Sequence, residues 1–114
     1  MTMKANATKC PAEFTLAMIG GRWKIPIIFH LLAGRQRFSE LSRALTGVTQ
    51  KMLTQQLREM ERNGLVARNI YPQVPPKVEY SLTDLGASLK PVVEAMCRWG
   101  EAQGVRRDLA EAGR

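Results

Sequence analysis

The sequence predicts a mainly α fold with one small β-hairpin, on three observations. The stretch TQKMLTQQLREMERNGLV, Thr49 to Val66, has the period of an amphipathic helix and a clean stop. Beyond Gly64 the apolar period changes from helical to two. The other apolar stretches are of helical length and are punctuated by Gly and Pro where helices begin and end.

The Thr49 stretch organises the rest. Leu53, Leu57 and Met60 fall at i, i+4 and i+7 and so share one face. At about 100° per residue, Lys51, Gln55, Arg58 and Arg62 fall opposite them. Gln50 and Thr54 sit on a flank. Thr49 is the expected N-cap, since its hydroxyl can accept an otherwise orphaned N–H. Asn63-Gly64 supplies residues that tolerate the left-handed backbone of a helix end. The outward stripe is basic and amide-bearing, with no acid on its centre line. Lys and Arg neutralise phosphates, and Arg and Gln also read guanine and adenine edges. An ordinary solvated face would look similar, so position in the fold must decide.

Taken in order, the polar residues 1–9 are expected to be flexible. Cys10-Pro11 opens the first helix, with Pro at its first position and Cys10 as N-cap. Gly20-Gly21 ends it. A second helix runs from about Trp23 to Leu32. Pro26 is tolerated there because it lies in the first turn. Ile27, Ile28, Phe29, Leu31 and Leu32 make this helix apolar nearly all round, so it should be buried. Arg37-Phe38 reads as a short extended link. Ser39 caps a third helix, with Glu40 favourable at its positive end. Thr46-Gly47-Val48 turns into the Thr49 helix, and two helices so joined form a helix-turn-helix.

Val66, Arg68 and Ile70 then alternate with Ala67, Asn69 and Tyr71. Pro72, Pro75 and Pro76 interrupt, and Val78, Tyr80 and Leu82 alternate with Glu79 and Ser81. This is a hairpin with a Pro-bearing tip that carries Gln73 and Lys77. A helix-turn-helix followed by such a hairpin is a winged helix. Thr83-Asp84 caps a last helical segment through Trp99, with a kink or break expected at Pro91. Its apolar series, with that of helix one, exceeds what one small core absorbs. The N- and C-terminal helices are therefore expected to dimerise; the alternative is that they complete the monomer core. Residues 10–103 are expected to form one domain, with 104–114 flexible.

Composition agrees. A chain of 114 residues fits one domain and can bury roughly 65% of its unfolded surface. Between Arg22 and Lys77 ten Lys and Arg face three Glu, a net of +7, which equals the formal charge of the whole chain. The flanking stretches net +1 and −1. A basic middle between near-neutral ends suits a polyanion. No run of 18 apolar residues and no signal-peptide core are seen, so no membrane role is expected. A cytoplasmic protein with both cysteines reduced at rest is the expectation.

Several stretches together carry a resemblance. They are Cys10-Pro11, Ile19-Gly20-Gly21-Arg22-Trp23, Phe38-Ser39-Glu40-Leu41, Gln50 to Thr54 with Leu57, and Asn63 to Val66. Val78 to Thr83 with Gly86, and Pro91 followed by Trp99-Gly100, complete the set. In that order and spacing the chain resembles the HxlR-type winged-helix transcriptional regulators, which are similar in fold to MarR-type regulators. Met60 stands where Leu is usual, a volume-conserving departure. The resemblance implies a homodimer that binds double-stranded DNA through the Thr49 helix and the wing. It also implies, for some members, a cysteine at the start of helix one that senses oxidants or electrophiles.

The candidate DNA contacts are therefore Lys51, Gln55 and Arg58, then Gln50 and Thr54, with Arg62 nearer phosphate. Ser39, Gln73 and Lys77 are further phosphate or groove candidates, against the plainer roles of a helix cap and a solvated tip. Cys10 is the candidate thiol switch: a helix start and the neighbouring Lys9 both favour a thiolate. A small packed residue would also explain it. Cys97, beside Met96 and Trp99, is expected to be packed and is the weaker partner. An oxidant or small molecule is thus a conceivable effector. His30, Cys10 and Cys97 are too few and too scattered for a structural zinc site. Nothing signals a catalytic triad or a phosphate loop, so neither an enzyme nor a cofactor is expected. A sequence-specific regulator on a palindromic operator is the leading reading. A non-specific nucleic-acid binder and a winged helix used only for protein contacts are the alternatives.

Overall fold

The structure is a computed structural model and describes residues 10–104. Over that span the order is α1 (Pro11–Ile19), α2 (Lys24–Leu32), β1 (Gln36–Arg37), α3 (Phe38–Ala44), α4 (Gln50–Arg62), β2 (Val66–Tyr71), β3 (Lys77–Leu82), α5 (Asp84–Ala87) and α6 (Lys90–Gly104). The three strands form one antiparallel sheet in the order β1-β3-β2. This is a mainly helical winged helix-turn-helix, as the sequence predicts. The expected flexible segment 1–9 lies outside the described residues, as do 105–114. Gly104, placed by the sequence reading in a flexible tail, is instead the last residue of α6.

Leu53, Leu57 and Met60 are fully enclosed, and they meet Ile27, Ile28 and Leu31 of α2, Leu41 of α3 and Val93 of α6 in one core. Each such side chain contributes about 1.5–3 kcal/mol relative to exposure. Phe29 is a correction. It stays 53% exposed, because the three buried apolar positions of α2, Ile27, Ile28 and Leu31, already fill its inner face and Phe29 points away from them.

Helix ends follow their residues. Cys10 is the N-cap of α1 with Pro11 at the first position, as read. The Thr49 hydroxyl accepts the Met52 N–H at 3.0 Å. At the far end of α4, Leu65 N–H reaches the Met60 carbonyl and Gly64 N–H reaches that of Glu61. This paired closure needs a left-handed residue, and Gly64 supplies it at φ 78°. Ser39 is not a cap. The helix starts earlier, with Arg37 as N-cap and the Glu40 carboxylate accepting the Arg37 N–H at 2.7 Å. The start moves because Arg37, with Gln36, is tied into the sheet against β3. That leaves Phe38 as the first helical residue rather than part of an extended link. The last helical segment does break near Pro91: α5 ends at Ala87, and Pro91 is the second residue of α6.

The root of the wing is stapled to the end of α4. Thr83 caps α5 by accepting the Gly86 N–H, and its hydroxyl donates to the Gly64 carbonyl. The Thr83 N–H donates to the Leu65 carbonyl at 3.0 Å. Gly86 is buried against that same carbonyl: a Cβ there would lie 2.2 Å from Leu65 O. Gly86→Ala is therefore expected to lower the unfolding free energy by about 1–3 kcal/mol, read as a reduced urea midpoint at constant slope.

Candidate nucleic-acid interface

The amphipathic division of α4 sets the site. With Leu53, Leu57 and Met60 inside, Gln50, Lys51, Gln55, Arg58 and Arg62 are all exposed and Thr54 is half-buried on the flank. The helix thus offers a solvent-facing stripe of three cations and two amides. Ser39 is exposed in the first turn of α3.

The wing departs from the sequence reading in detail. Gln73 is exposed at the tip, beside Val74. Lys77 closes the tip rather than lying within its loop. It opens β3 opposite Tyr71, with its ammonium 4.9 Å from the Tyr71 ring centre and 3.8 Å from Glu79 Oε2. Arg35 shares the same acid, at 3.8 Å from Glu79 Oε1, and donates to the Tyr71 hydroxyl. Arg35 and Lys77 are thereby held on the two oxygens of one wing carboxylate. Sequence reasoning missed Arg35, since only the pairing of β1 with β3 brings it there.

A crevice of about 360 Å³ separates α4 from the sheet, floored by Phe38, Leu57, Val78 and Tyr80. Arg68 of β2 and Glu61 of α4 meet across its rim at 3.5 Å. Burial raises the Tyr80 phenol above its ordinary value; Arg68 and then Arg58 pull it down, and Glu61 pushes it up. On the opposite flank of α4, Glu59 meets the enclosed Lys24 of α2 at 3.3 Å.

Cys10 and Cys97 are both exposed free thiols. The expectation that Cys97 is packed is corrected: Cys97 lies one turn beyond Val93, the one fully buried residue of α6, and is exposed because the helix has run past the core there. His30 is half-buried, edge-on to the Phe29 ring. Among the described residues no group of three or more His, Cys, Asp or Glu is placed to hold a metal. No helix of the described residues is long and apolar enough to cross a membrane.

Residues 18–108 match the HxlR-like helix-turn-helix family. The chain belongs to that family. It is 50% identical over 109 residues to the HTH-type transcriptional regulator YybR of Bacillus subtilis, covering 96% of this chain and 85% of that protein. Two solved structures of the redox regulator HypR are similar. The oxidised form has 53% identity, a TM-score of 0.79 and coverage of 82% of this chain and 97% of that one. The reduced form has 50% identity, a TM-score of 0.80 and coverage of 90% and 99%. The reduced form of the transcriptional regulator YodB from B. subtilis has 36% identity and a TM-score of 0.73, over 83% and 94% of the two chains. This HxlR-like protein is accordingly a DNA-binding transcriptional regulator of the winged helix-turn-helix type and not an enzyme.

The Tyr80 environment has a testable sign. A phenol whose folded value is raised leaves its contribution to stability intact below the unfolded value near 10.0. That contribution is lost as pH rises through the higher folded value. Stability should therefore fall with pH above about 10, and Tyr80→Phe should flatten that fall, measured by urea unfolding between neutral and alkaline pH.

Proposed function

We propose that the protein reads a two-fold symmetric operator as a homodimer, with α4 in the major groove. Lys51, Gln55 and Arg58 make base contacts, flanked by Gln50 and Thr54. Arg62, Ser39 and the wing residues Gln73 and Lys77 serve the backbone or the adjacent groove. The observation that carries this reading is the outward stripe of α4, whose inner residues are completely enclosed while its cations and amides face solvent. Membership of a DNA-binding family supports taking that stripe as a reader rather than a merely solvated face.

The homodimer rests on a separate observation. Phe14 and Leu16 of α1 are 56% and 60% exposed, and Met96 and Trp99 of α6 are 45% and 70% exposed. With the partly exposed Leu85, these leave apolar surface on the two terminal helices that the core does not cover. A second copy applied there sets two α4 helices about 34 Å or a multiple apart, which requires a palindrome of matching spacing. Cytoplasmic residence follows from the work of such a regulator.

Selection of bound fragments from random DNA should return a two-fold symmetric site. Against that site, Arg58→Ala and Lys51→Ala are each expected to lose about 1–3 kcal/mol. Arg62→Ala should weaken all sequences alike and reduce the salt slope by about 1. Unchanged affinity for both Arg58→Ala and Lys51→Ala would remove α4 as the reader.

The regulation we propose is a thiol switch at Cys10. Its sulfur is exposed at the N-cap of α1, open to an oxidant, and the similar HypR was solved in oxidised and reduced forms. An oxidant or electrophile is then the effector, with Cys97 as a conceivable disulfide partner from the other subunit. Mild oxidant should lower operator affinity in the wild type and not in Cys10→Ser. Equal behaviour of the two proteins would leave Cys10 a structural residue.

A further inference from the structure

A helix that must approach a polyanion has reason to avoid acids, yet α4 holds two, Glu59 and Glu61. Both lie near its C-terminal end, where the helix dipole also disfavours negative charge. Each is paired with a different element. Glu59 Oε2 lies 3.3 Å from Lys24 Nζ at the start of α2. Glu61 Oε1 lies 3.5 Å from Arg68 Nε in β2. Two residues apart on a helix means about 160° around its axis by the shorter way, so the two pairs pull on opposite flanks.

Lys24 is placed against its preference too. It is a cation at a helix N-terminus, and only 6% of the residue is exposed. An enclosed ammonium needs a partner, and Glu59 is its ion-pair partner among the described residues. The core beneath α4 fixes which face lies inside, and the flank pairs act on what finer roll remains. Leu53, Leu57 and Met60 pack near the helix's inner line, whereas each flank pair adds a directed contact to one side of it. Ion pairs at these distances act along one line each. A pair on either flank opposes roll in both senses.

We infer that Lys24–Glu59 and Glu61–Arg68 are opposed tethers that fix the roll of α4, and with it the discrimination between bases. This rests on the reading of α4 as the DNA reader. The leverage is direct. Side chains of a helix reach about 5–6 Å from its axis, so a roll of about 10° moves their ends by about 1 Å. The distance window of a good hydrogen bond is about half of that. Base contacts are therefore lost on a small roll, whereas long Lys and Arg side chains follow a phosphate through it. The tethers act on specificity; the solvent-exposed Glu61–Arg68 pair contributes little to holding the fold, whereas Glu59 also compensates the enclosed Lys24 charge.

The test is the ratio of affinity for the selected operator to affinity for a scrambled duplex, in the full-length protein. Glu59→Gln/Glu61→Gln removes both acids and keeps their shape. Its ratio should fall about tenfold, the discrimination of one good bidentate base contact, while its salt slope stays at or above the wild-type value. The ratio separates this role from plainer ones. Removing two negative charges for electrostatic reasons alone would strengthen both duplexes alike. A purely structural loss would weaken both alike. A folded double variant whose ratio stays within twofold of wild type overturns the inference. If the double variant does not fold, Glu61→Gln, which breaks only the more exposed tether, is held to the same criterion of a reduced ratio. A wild-type protein that does not separate the two duplexes would instead overturn the DNA-reading proposal, and this inference with it.

Discussion

Enclosure of Leu53, Leu57 and Met60 decides which side of α4 the solvent meets, and most of the molecule follows from that choice. Three fully buried side chains at about 1.5–3 kcal/mol each outweigh any preference the polar residues between them express. Lys51, Gln55, Arg58 and Arg62 face outward because the spacing leaves them no other side. The same enclosure places α2 and α3 beneath the helix and the sheet along its flank. Function here is a by-product of packing geometry: the polar stripe is what remains when the apolar stripe is buried.

The parts legible from residues alone are those in which one local rule governs. Thr49 and Asn63-Gly64 bracket α4, and the bracket holds because caps act within one turn. The switch of period at Gly64 marks the wing for the same reason. Where a long-range contact intervenes, the reading slips. Ser39 loses the capping role because Gln36 and Arg37 pair with β3, more than forty residues on, and this moves the helix start. Lys77 closes the tip as the first residue of β3 rather than lying in the loop, because the register of β2 on β3 sets it opposite Tyr71. Phe29 and Cys97 sit on faces whose exposure depends on what packs against them, and nothing local reports that.

Charge follows the same division. The basic middle of the chain was visible as a count, but its arrangement was not. Glu79 gathers Arg35 and Lys77, while Glu59 and Glu61 each hold a cation of another element. The acids near α4 are thus engaged within the protein and leave its outer stripe positive. Only Arg68, Arg35 and Lys24 in their folded positions make that visible: Arg35 and Lys24 are distant in sequence from the acids they meet, and Arg68 reaches Glu61 only because the chain turns back between α4 and β2.

The staple at the wing root has a mechanical meaning. Thr83 bonds to Gly64 and Leu65, and Gly86 lies flush on the Leu65 carbonyl, so the end of α4, both strands and α5 form one rigid piece. The six-residue strands extend it about 20 Å from that anchorage. Such a piece is a lever arm. Turning its root by about 5° carries the far end through about 1.7 Å, roughly half the rise of one residue along a strand. A slight twist delivered where the C-terminal helices begin thus reaches the wing tip magnified, without any bending of the wing itself.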